Sequence, residues 1–239
     1  MGSAPYIIYP LGDQALTIEL GKKIEEQTNQ RVMEVFHQLQ NNPIPFVSDL
    51  IPAYSSITVV YHAFAIRKTH PGLSAFDWMK AELTNRLQQK GDGAFSSRLI
   101  DIPVCYDSEL GPDLAELAAF AGLPVAEVIR LHTATVYRVY MIGFLPGFAY
   151  MASVDPAIRM PRKAQPRPLV AAGSVGIAGE QTGIYPVNSP GGWQIIGQTP
   201  LPLLDVSQES PCLLEPGDRV RFHSISMQQF NQMKNSRSV

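Results

Sequence analysis

The chain has 239 residues, of which 45% are hydrophobic and 17% are charged, and its formal net charge is -2. This composition is sufficient for one large or two modest globular cores and excludes an intrinsically disordered chain. The slightly acidic balance argues against a nucleic-acid binder that depends on bulk positive charge. No segment approaches the roughly 18 apolar residues that a membrane span needs, so we expect no membrane association.

Cysteine usage and the N-terminus bear on the cellular compartment. Cys105 and Cys212 are far apart and lack the spacing of metal ligands, which predicts two reduced side chains in the core and no metal site. The N-terminus lacks the basic, apolar and small-residue succession of a secretory signal. Together these features predict a cytoplasmic protein.

Residues 1–95 are predicted to form a small α+β domain. β-Branched and aromatic residues, and an alternation with a period of two, indicate three strands at Tyr6–Tyr9, Ala15–Leu20 and Ser56–Tyr61. Apolar residues at helical spacing predict one helix that carries Ile24 to Leu39, and a second that Ser74 caps and that Lys90-Gly91-Asp92-Gly93 ends. Nothing in this part of the chain has the pattern of a catalytic site.

Residues 96–239 are predicted to form a second domain. It begins with a strand from Leu99 to Val104 and two short helices separated by Gly122. A helix-turn-helix DNA reader is disfavoured because the second helix offers only Arg130 as a basic side chain. From Tyr137 onward, short strands punctuated by glycine and proline predict a closed barrel or a sandwich. A strand from Arg219 to Phe222 and a short helix from Met227 to Met233 complete the domain.

Two segments of this second domain have unusual compositions. In Gly143-Phe144-Leu145-Pro146-Gly147-Phe148, two phenylalanines flank a tight turn, and they form either an aromatic wall for a small planar ligand or partner, or an apolar plug of the barrel end. In Arg159–Pro168, four cations alternate with three prolines, so the segment is stiff and non-helical. It is either a solvated basic loop or a site for carboxylate or phosphate.

The most informative segment is the glycine-rich run from Gly173 to Trp193. Gly173, Gly176 and Gly179 recur at every third residue, a pattern typical of positions that need positive φ or a close approach of the backbone. The run therefore forms either tight barrel corners or a set of peptide N–H donors for an anion or a carbonyl oxygen. Its amide and hydroxyl side chains can orient an amide-bearing substrate but are poor acids and bases.

His132 is the histidine nearest the entry to the predicted barrel, where it serves either as an acid or base or as a structural residue at a helix end. The chain contains neither a phosphate-binding P-loop, nor a dinucleotide-binding glycine motif, nor a nucleophile elbow. No cluster of histidine and cysteine suggests zinc. By themselves, these side chains provide only part of what a catalytic site needs.

The chain resembles the family named variously 5-oxoprolinase B subunit, sporulation-kinase inhibitor and allophanate hydrolase subunit 1. The resemblance is collinear from about residue 6 to 225, and is carried by Ile102–Tyr106, Gly111–Leu114, Arg138–Met141, Gly143–Tyr150, Pro161-Arg162, Ala172–Gly179, Gln181–Pro186 and Ser189–Trp193. One departure is Met151-Ala152-Ser153, where the family usually has Leu-Gly-Gly.

The resemblance implies an α+β protein, in which a small N-terminal domain precedes a cyclophilin-like β-barrel with a short helical insertion. It implies direct association with a 5-oxoprolinase C subunit, together with an A subunit, in a complex that opens 5-oxoproline to glutamate at the expense of ATP. The ATP, with its Mg, is expected to be shared with these partners. The alternative that the family raises is a protein inhibitor of a sporulation histidine kinase, and a structural barrel without a partner is a third possibility.

If the chain belongs to an oxoprolinase complex, its site needs amide donors, cations for carboxylate and phosphate, and few strong bases. We therefore take His132 and Gln181 as candidate catalytic residues and expect no metal ligands. The candidate substrate-binding residues are Arg138, Tyr140, Phe144, Phe148, Arg162, Arg167, Gly173, Ser174, Gly176, Gly179, Thr182, Tyr185, Ser189, Gly191, Gly192 and Trp193.

Overall fold

A computed structural model describes residues 6–88 and 97–236 of the chain. The chain divides into two compact units between Ser96 and Ser97. The predicted helix stop at Lys90–Gly93 lies outside the described residues. Within the described part, no helix is both long and apolar enough to span a membrane.

The first unit is a four-stranded antiparallel sheet with three helices. The strands are β1 (Ile7–Pro10), β2 (Ala15–Glu19), β3 (Val47–Pro52) and β4 (Ser56–Tyr61), in the order β1-β2-β4-β3. The helices are α1 (Glu26–Asn41), α2 (Ala63–Thr69) and α3 (Ala75–Gln88). Ser74 accepts a hydrogen bond from the Asp77 backbone N–H, as the capping prediction requires.

Two elements of this unit were not predicted. Strand β3 lies at an edge of the sheet and is largely exposed, so it lacks the alternation of apolar residues that identifies a strand. Helix α2 spans only seven residues, too few for a helical repeat of apolar positions to stand out.

The second unit is a closed seven-stranded barrel in the order β10-β7-β6-β13-β5-β12-β9. Its strands are β5 (Leu99–Cys105), β6 (Val136–Ile142), β7 (Ala149–Ala152), β9 (Ser174–Ala178), β10 (Gln181–Ile184), β12 (Gln194–Gln198) and β13 (Arg219–Ile225). All neighbours are antiparallel except β13 and β5, which are parallel. The predicted α+β class with a barrel is therefore confirmed, and the sandwich alternative is wrong.

A two-stranded ribbon, three α-helices and a short 3-10 helix (Pro156–Ile158) complete the described part of the second unit. Strands β8 (Arg167–Val170) and β11 (Ser189–Gly191) pair outside the barrel. Helices α4 (Leu114–Ala121) and α5 (Val125–Ala134) form the insertion between β5 and β6, and Gly122 ends α4 in the left-handed conformation. Helix α6 (Met227–Asn235) begins with a capping box between Ser226 and Gln229.

Candidate functional site

The best candidate site is an aromatic cavity of about 270 Å³ in the second unit. It is formed where three segments meet: the Phe144 loop (Gly143–Tyr150), the basic segment (Arg159–Pro168) and the end of the glycine-rich run (Gly173–Trp193). Its lining residues are Phe144, Tyr150, Arg162, Pro166, Tyr185, Pro190, Gly191, Gly192 and Trp193. Six of these were predicted site residues, namely Phe144, Arg162, Tyr185, Gly191, Gly192 and Trp193.

Phe148 lies beneath the cavity and organises its aromatic walls. Its buried ring packs edge-on against Tyr150, Tyr185 and Trp193, with ring centroids 4.8, 5.2 and 5.4 Å away. Aromatic pairs in this arrangement are favourable beyond the area that they bury. Phe148 is therefore a core residue that holds the walls, and not the exposed substrate or docking contact that we expected.

Two glycines make room for these rings. A Cβ at Gly191 would lie 2.3 Å from the Tyr185 hydroxyl oxygen, and a Cβ at Gly183 would lie 3.1 Å from both the Phe148 and the Trp193 rings. Any side chain at Gly191 would displace Tyr185 from the wall of the cavity. The close approach of a ring to the backbone, and not an open donor, explains why glycine is needed here.

Phe144 lies at the rim of the cavity in a strained conformation. Its φ of 68° is in the left-handed region, which disfavours residues with a Cβ, and its side chain is 64% exposed. The ring nevertheless packs edge-on against Phe148, with centroids 5.7 Å apart. An exposed aromatic residue in a strained backbone conformation beside a cavity is typical of a ligand contact.

Arg162 provides the positive charge of the cavity. Its guanidinium lies over the Trp193 ring, 5.7 Å from the centroid. Burial raises the pKa of both Tyr150 and Tyr185, an effect that the nearby Arg162 charge partly opposes. Both hydroxyls therefore stay protonated at neutral pH and can act as hydrogen-bond donors.

The other three cations of the basic segment are held in ion pairs. Arg159 pairs with Glu180, while Lys163 and Arg167 both pair with Asp113. The described residues provide no carboxylate partner for Arg162. The segment is thus neither a fully solvated loop nor a cluster of four free cations.

Asp113 is a buried carboxylate that sequence reasoning did not select. One of its oxygens accepts hydrogen bonds from Arg167 at 2.5 Å and Lys163 at 2.9 Å, and the other accepts from the Ile195 backbone N–H at 2.7 Å. Burial alone would raise the pKa of Asp113, but the Arg167, Ile195 and Lys163 hydrogen bonds outweigh burial and hold it below its usual value. Arg167, a predicted substrate residue, is mainly a partner of this carboxylate.

His132 is not an acid or base at the cavity, which corrects our expectation. It is fully buried in the barrel core, with Nδ1 2.8 Å from the Tyr106 hydroxyl and Nε2 3.1 Å from the Thr182 hydroxyl. Because Thr182 donates its proton to the Gly176 carbonyl, Nε2 carries the imidazole proton and Nδ1 accepts from Tyr106. Burial lowers the pKa of His132 to about 3, so the ring is neutral.

The glycine run does not form an anion-binding nest either. The Gly173 N–H donates to the Tyr185 carbonyl and the Gly179 N–H donates to the Met160 carbonyl. Gly176 lies within the barrel ladder, opposite Gly183 and Ile195. Gly173 and Gly179 therefore form turns with positive φ at the ends of β9, whereas Gly176 lies within that strand. The N–H groups of Gly173 and Gly179 are used by the fold and are not open donors.

The remaining predicted residues do not line the cavity. Thr182 belongs to the buried His132 network, and the Ser174 carbonyl accepts from the Tyr185 N–H. Arg138 and Tyr140 are buried on β6, and Gln181 lies on β10 opposite Ala152. Ser189 is buried beside the cavity, and its hydroxyl has no hydrogen-bond partner among the described residues. We predicted these residues because they lie within or near the motifs in the sequence, and the sequence does not specify where their side chains point.

Tyr150, Pro166 and Pro190 line the cavity but were not predicted. Tyr150 ends the Phe144 loop motif, and both prolines lie within segments that we had singled out, so position within a motif was the available signal.

Within residues 6–88 and 97–236, no group of three or more His, Cys, Asp or Glu side chains could hold a metal ion.

Residues 6–214 match the family model described as carboxyltransferase domain, subdomain C and D. The chain belongs to this family. It is 43% identical to the 5-oxoprolinase B subunit of Bacillus subtilis (strain 168), over 96% of this chain and 97% of that protein.

Solved structures agree with the fold. The crystal structure of TTHA0988 superposes with a TM-score of 0.76 at 38% identity, over 89% of this chain, which spans only 40% of that protein. Kluyveromyces lactis urea amidolyase superposes with a TM-score of 0.74 at 18% identity, over 98% of this chain and 16% of that protein, a likeness that concerns the fold alone.

Proposed function

We propose that this chain is the B subunit of an ATP-dependent 5-oxoprolinase that, with A and C subunits, converts 5-oxo-L-proline to L-glutamate. The observation that carries the proposal is the aromatic cavity with its single cation, Arg162, in a chain 43% identical to a 5-oxoprolinase B subunit. The cavity is where this chain would contribute to the substrate site.

The chemistry of the cavity suits 5-oxoproline. This substrate is a small, nearly planar lactam that carries one carboxylate, and the cavity of about 270 Å³ is slightly smaller than the roughly 300–1,000 Å³ of sites for larger, drug-sized ligands. The faces of Trp193 and Tyr185 offer apolar contact for the ring. Arg162 can pair with the carboxylate, because a guanidinium matches a carboxylate in geometry and charge.

The role proposed for this chain is binding and orientation. A lactam is a stabilised amide, and phosphorylation of its oxygen by ATP would make the ring carbon electrophilic enough for water to add to it. Cleavage of the carbon–nitrogen bond would then release the amine and leave an acyl phosphate, which a second water would hydrolyse to the carboxylate and phosphate. The residues that line the cavity include no histidine and no carboxylate. They can hold the carboxylate and donate hydrogen bonds from the Tyr150 and Tyr185 hydroxyls, but they do not supply a general base.

The glycine-rich run does not offer a cradle for the phosphates of a nucleoside triphosphate. The glycine run, which was the candidate cradle, uses the N–H groups of Gly173 and Gly179 in the fold. As part of the proposal, the A and C subunits therefore make the contacts to ATP and Mg.

The first test is ATP-dependent loss of 5-oxoproline with this chain alone and then with the A and C subunits. We expect turnover only in the full mixture. Arg162→Ala should then raise the KM for 5-oxoproline by roughly 10- to 100-fold, since a hydrogen bond to a charged group contributes about 1.5–3 kcal/mol. Arg162→Lys should recover part of this loss, because it restores the charge without the planar fork.

The matched control is Arg130→Ala. Arg130 is an exposed arginine on α5 that pairs with Glu127, so its removal should leave the KM unchanged. Equal KM values for the Arg162→Ala variant and the wild-type chain would remove Arg162 from the site. Absence of turnover with well-folded partners would refute the proposed function. The next assay would then be inhibition of histidine-kinase autophosphorylation. Its surface variant would be Phe144→Asp, because Phe144 is exposed whereas Phe148 is buried.

A further inference from the structure

We propose that Asp113 is the positioning residue that fixes Arg162 in the aromatic cavity. The inference rests on the function proposed above, and it assigns a role in substrate recognition to a carboxylate that does not itself line the cavity. The role follows from what Asp113 holds and from where those partners lie along the chain.

Asp113 occupies the position before α4 where an aspartate usually caps the helix. Its side chain makes no capping hydrogen bond to α4. The carboxylate instead accepts from Arg167, Lys163 and the Ile195 N–H, and it is only 2% exposed. Because this buried carboxylate bonds to three donors outside α4 and to none within it, its structural role is to hold those other segments in place.

The three donors lie one or two residues along the chain from residues that line the two walls of the cavity. Lys163 immediately follows Arg162, and Arg167 follows Pro166 on the same wall. Ile195 lies two residues after Trp193, and its carbonyl also accepts from the Asp113 backbone N–H at 2.9 Å. One carboxylate therefore connects the basic segment to β12, the strand that begins directly after Trp193.

Backbone contacts on both sides of Arg162 complete this attachment. The Pro161 carbonyl accepts from the Gln194 side chain at 2.8 Å, and the Lys163 N–H donates to the Gly192 carbonyl at 2.7 Å. With its neighbours held, Arg162 is directed over the Trp193 ring. Lys163 pairs with both Asp113 and Glu116, and Arg167 pairs with Asp113. Among the cations of the basic segment, Arg162 is therefore the one for which the described residues provide no carboxylate partner.

Asp113→Asn is the informative substitution because it keeps the shape of the side chain. An asparagine has one oxygen acceptor and one NH₂ donor, so at least one of the three donors would face another donor. Lys163 and Arg167 would also lose their buried counter-charge. The matched control is Asp101→Asn, which removes an exposed carboxylate that accepts two hydrogen bonds from Arg221 in the same unit.

In the assembled enzyme, we expect Asp113→Asn to raise the KM for 5-oxoproline by about tenfold and to leave the KM for ATP unchanged. The decisive measurement is a double-mutant cycle with Arg162→Ala. If Asp113 acts through Arg162, adding Asp113→Asn to Arg162→Ala should change the KM less than about twofold. Additive losses, or an unchanged KM in Asp113→Asn, would overturn the proposal.

A second measurement does not depend on substrate. The chain has two tryptophans, so Trp78→Phe leaves Trp193 as the sole tryptophan reporter. Asp113→Asn should shift the Trp193 emission towards that of Arg162→Ala, and should have no further effect when Arg162 is already alanine. An Asp113→Asn chain with wild-type Trp193 emission would refute the positioning role even if the wild-type complex turns over.

Thermal unfolding of each variant shows whether Asp113→Asn is folded. If it is not, Lys163→Met replaces it, because that change leaves Arg167 on the carboxylate and removes one of its two cations. The same non-additivity with Arg162→Ala is then expected, and additive effects would again overturn the proposal. Absence of turnover by the wild-type complex would refute the proposed function, whereas the emission cycle would still decide whether Asp113 positions Arg162.

Discussion

The buried His132 leads to a pH dependence of stability that can be calculated. In the folded protein the ring is neutral, held between Tyr106 and Thr182 and stacked on Phe222 with centroids 4.6 Å apart. Burial lowers its pKa from the ordinary value of 6.5 to about 3. Because the unfolded chain takes up a proton below pH 6.5 and the folded chain does not until about pH 3, acid favours unfolding in that window.

The magnitude follows from linkage. One pKa unit corresponds to about 1.4 kcal/mol, so the full shift would lower the free energy of unfolding by about 5 kcal/mol once the pH falls below both values. Between pH 7 and pH 5 the same expression gives a loss of about 2 kcal/mol. The stability is therefore fully present above the unfolded-state pKa and declines as the pH falls.

The assay is urea unfolding at pH 7 and pH 5 of the wild-type chain and of His132→Gln, which keeps a donor and an acceptor but cannot titrate. The four other histidines are present in both proteins, so their contributions cancel in the difference. We expect His132→Gln to be less stable at pH 7 but to lose about 2 kcal/mol less than the wild type between the two pH values. An identical pH dependence in the two proteins would refute the assignment of a neutral, buried imidazole.

Two further predictions concern the walls of the cavity. Gly191→Ala should reduce the free energy of unfolding by about 1–3 kcal/mol, because its Cβ would clash with the Tyr185 ring, whereas Gly192→Ala, whose Cβ meets no atom closer than 3.6 Å, serves as the control in the same chemical denaturation. Equal losses in the two variants would contradict the packing argument. Phe144→Gly should relieve the left-handed backbone but lose the ring contact with Phe148, so the free energy of unfolding should change by less than about 1 kcal/mol while the KM for 5-oxoproline rises. An unchanged KM, or a much larger loss of stability, would show that Phe144 is not a strained ligand contact.

The sequence determined the fold class, the family and most of the elements. The alternating residues of β2 and β4 and the helical spacing in α1 are local signals, and each marks an element that buries one face. The dense glycine and proline after Tyr137 predicted a barrel because short strands with frequent turns fit few other architectures. Edge strand β3 and short helix α2 gave no such signal.

The sequence also identified the three segments that meet at the cavity, although not what each side chain does there. The two phenylalanines of one loop differ in burial: Phe144 is exposed at the rim of the cavity, and Phe148 is buried beneath it. Peptide N–H groups of the glycine run look available in sequence, but their use in the barrel ladder depends on strands that lie elsewhere in the chain.

Only the tertiary structure decided which charge is left for a ligand. In the basic segment four cations are equivalent by composition. The choice among them depends on Glu180, which pairs with Arg159, and on Asp113, which lies 54 residues before Arg167 and 82 before Ile195. His132 likewise is of a residue type that often acts as an acid or a base, but it is buried in the core. Pairing and burial depend on long-range contacts, and local sequence does not specify them because any of several distant groups can satisfy the same side chain.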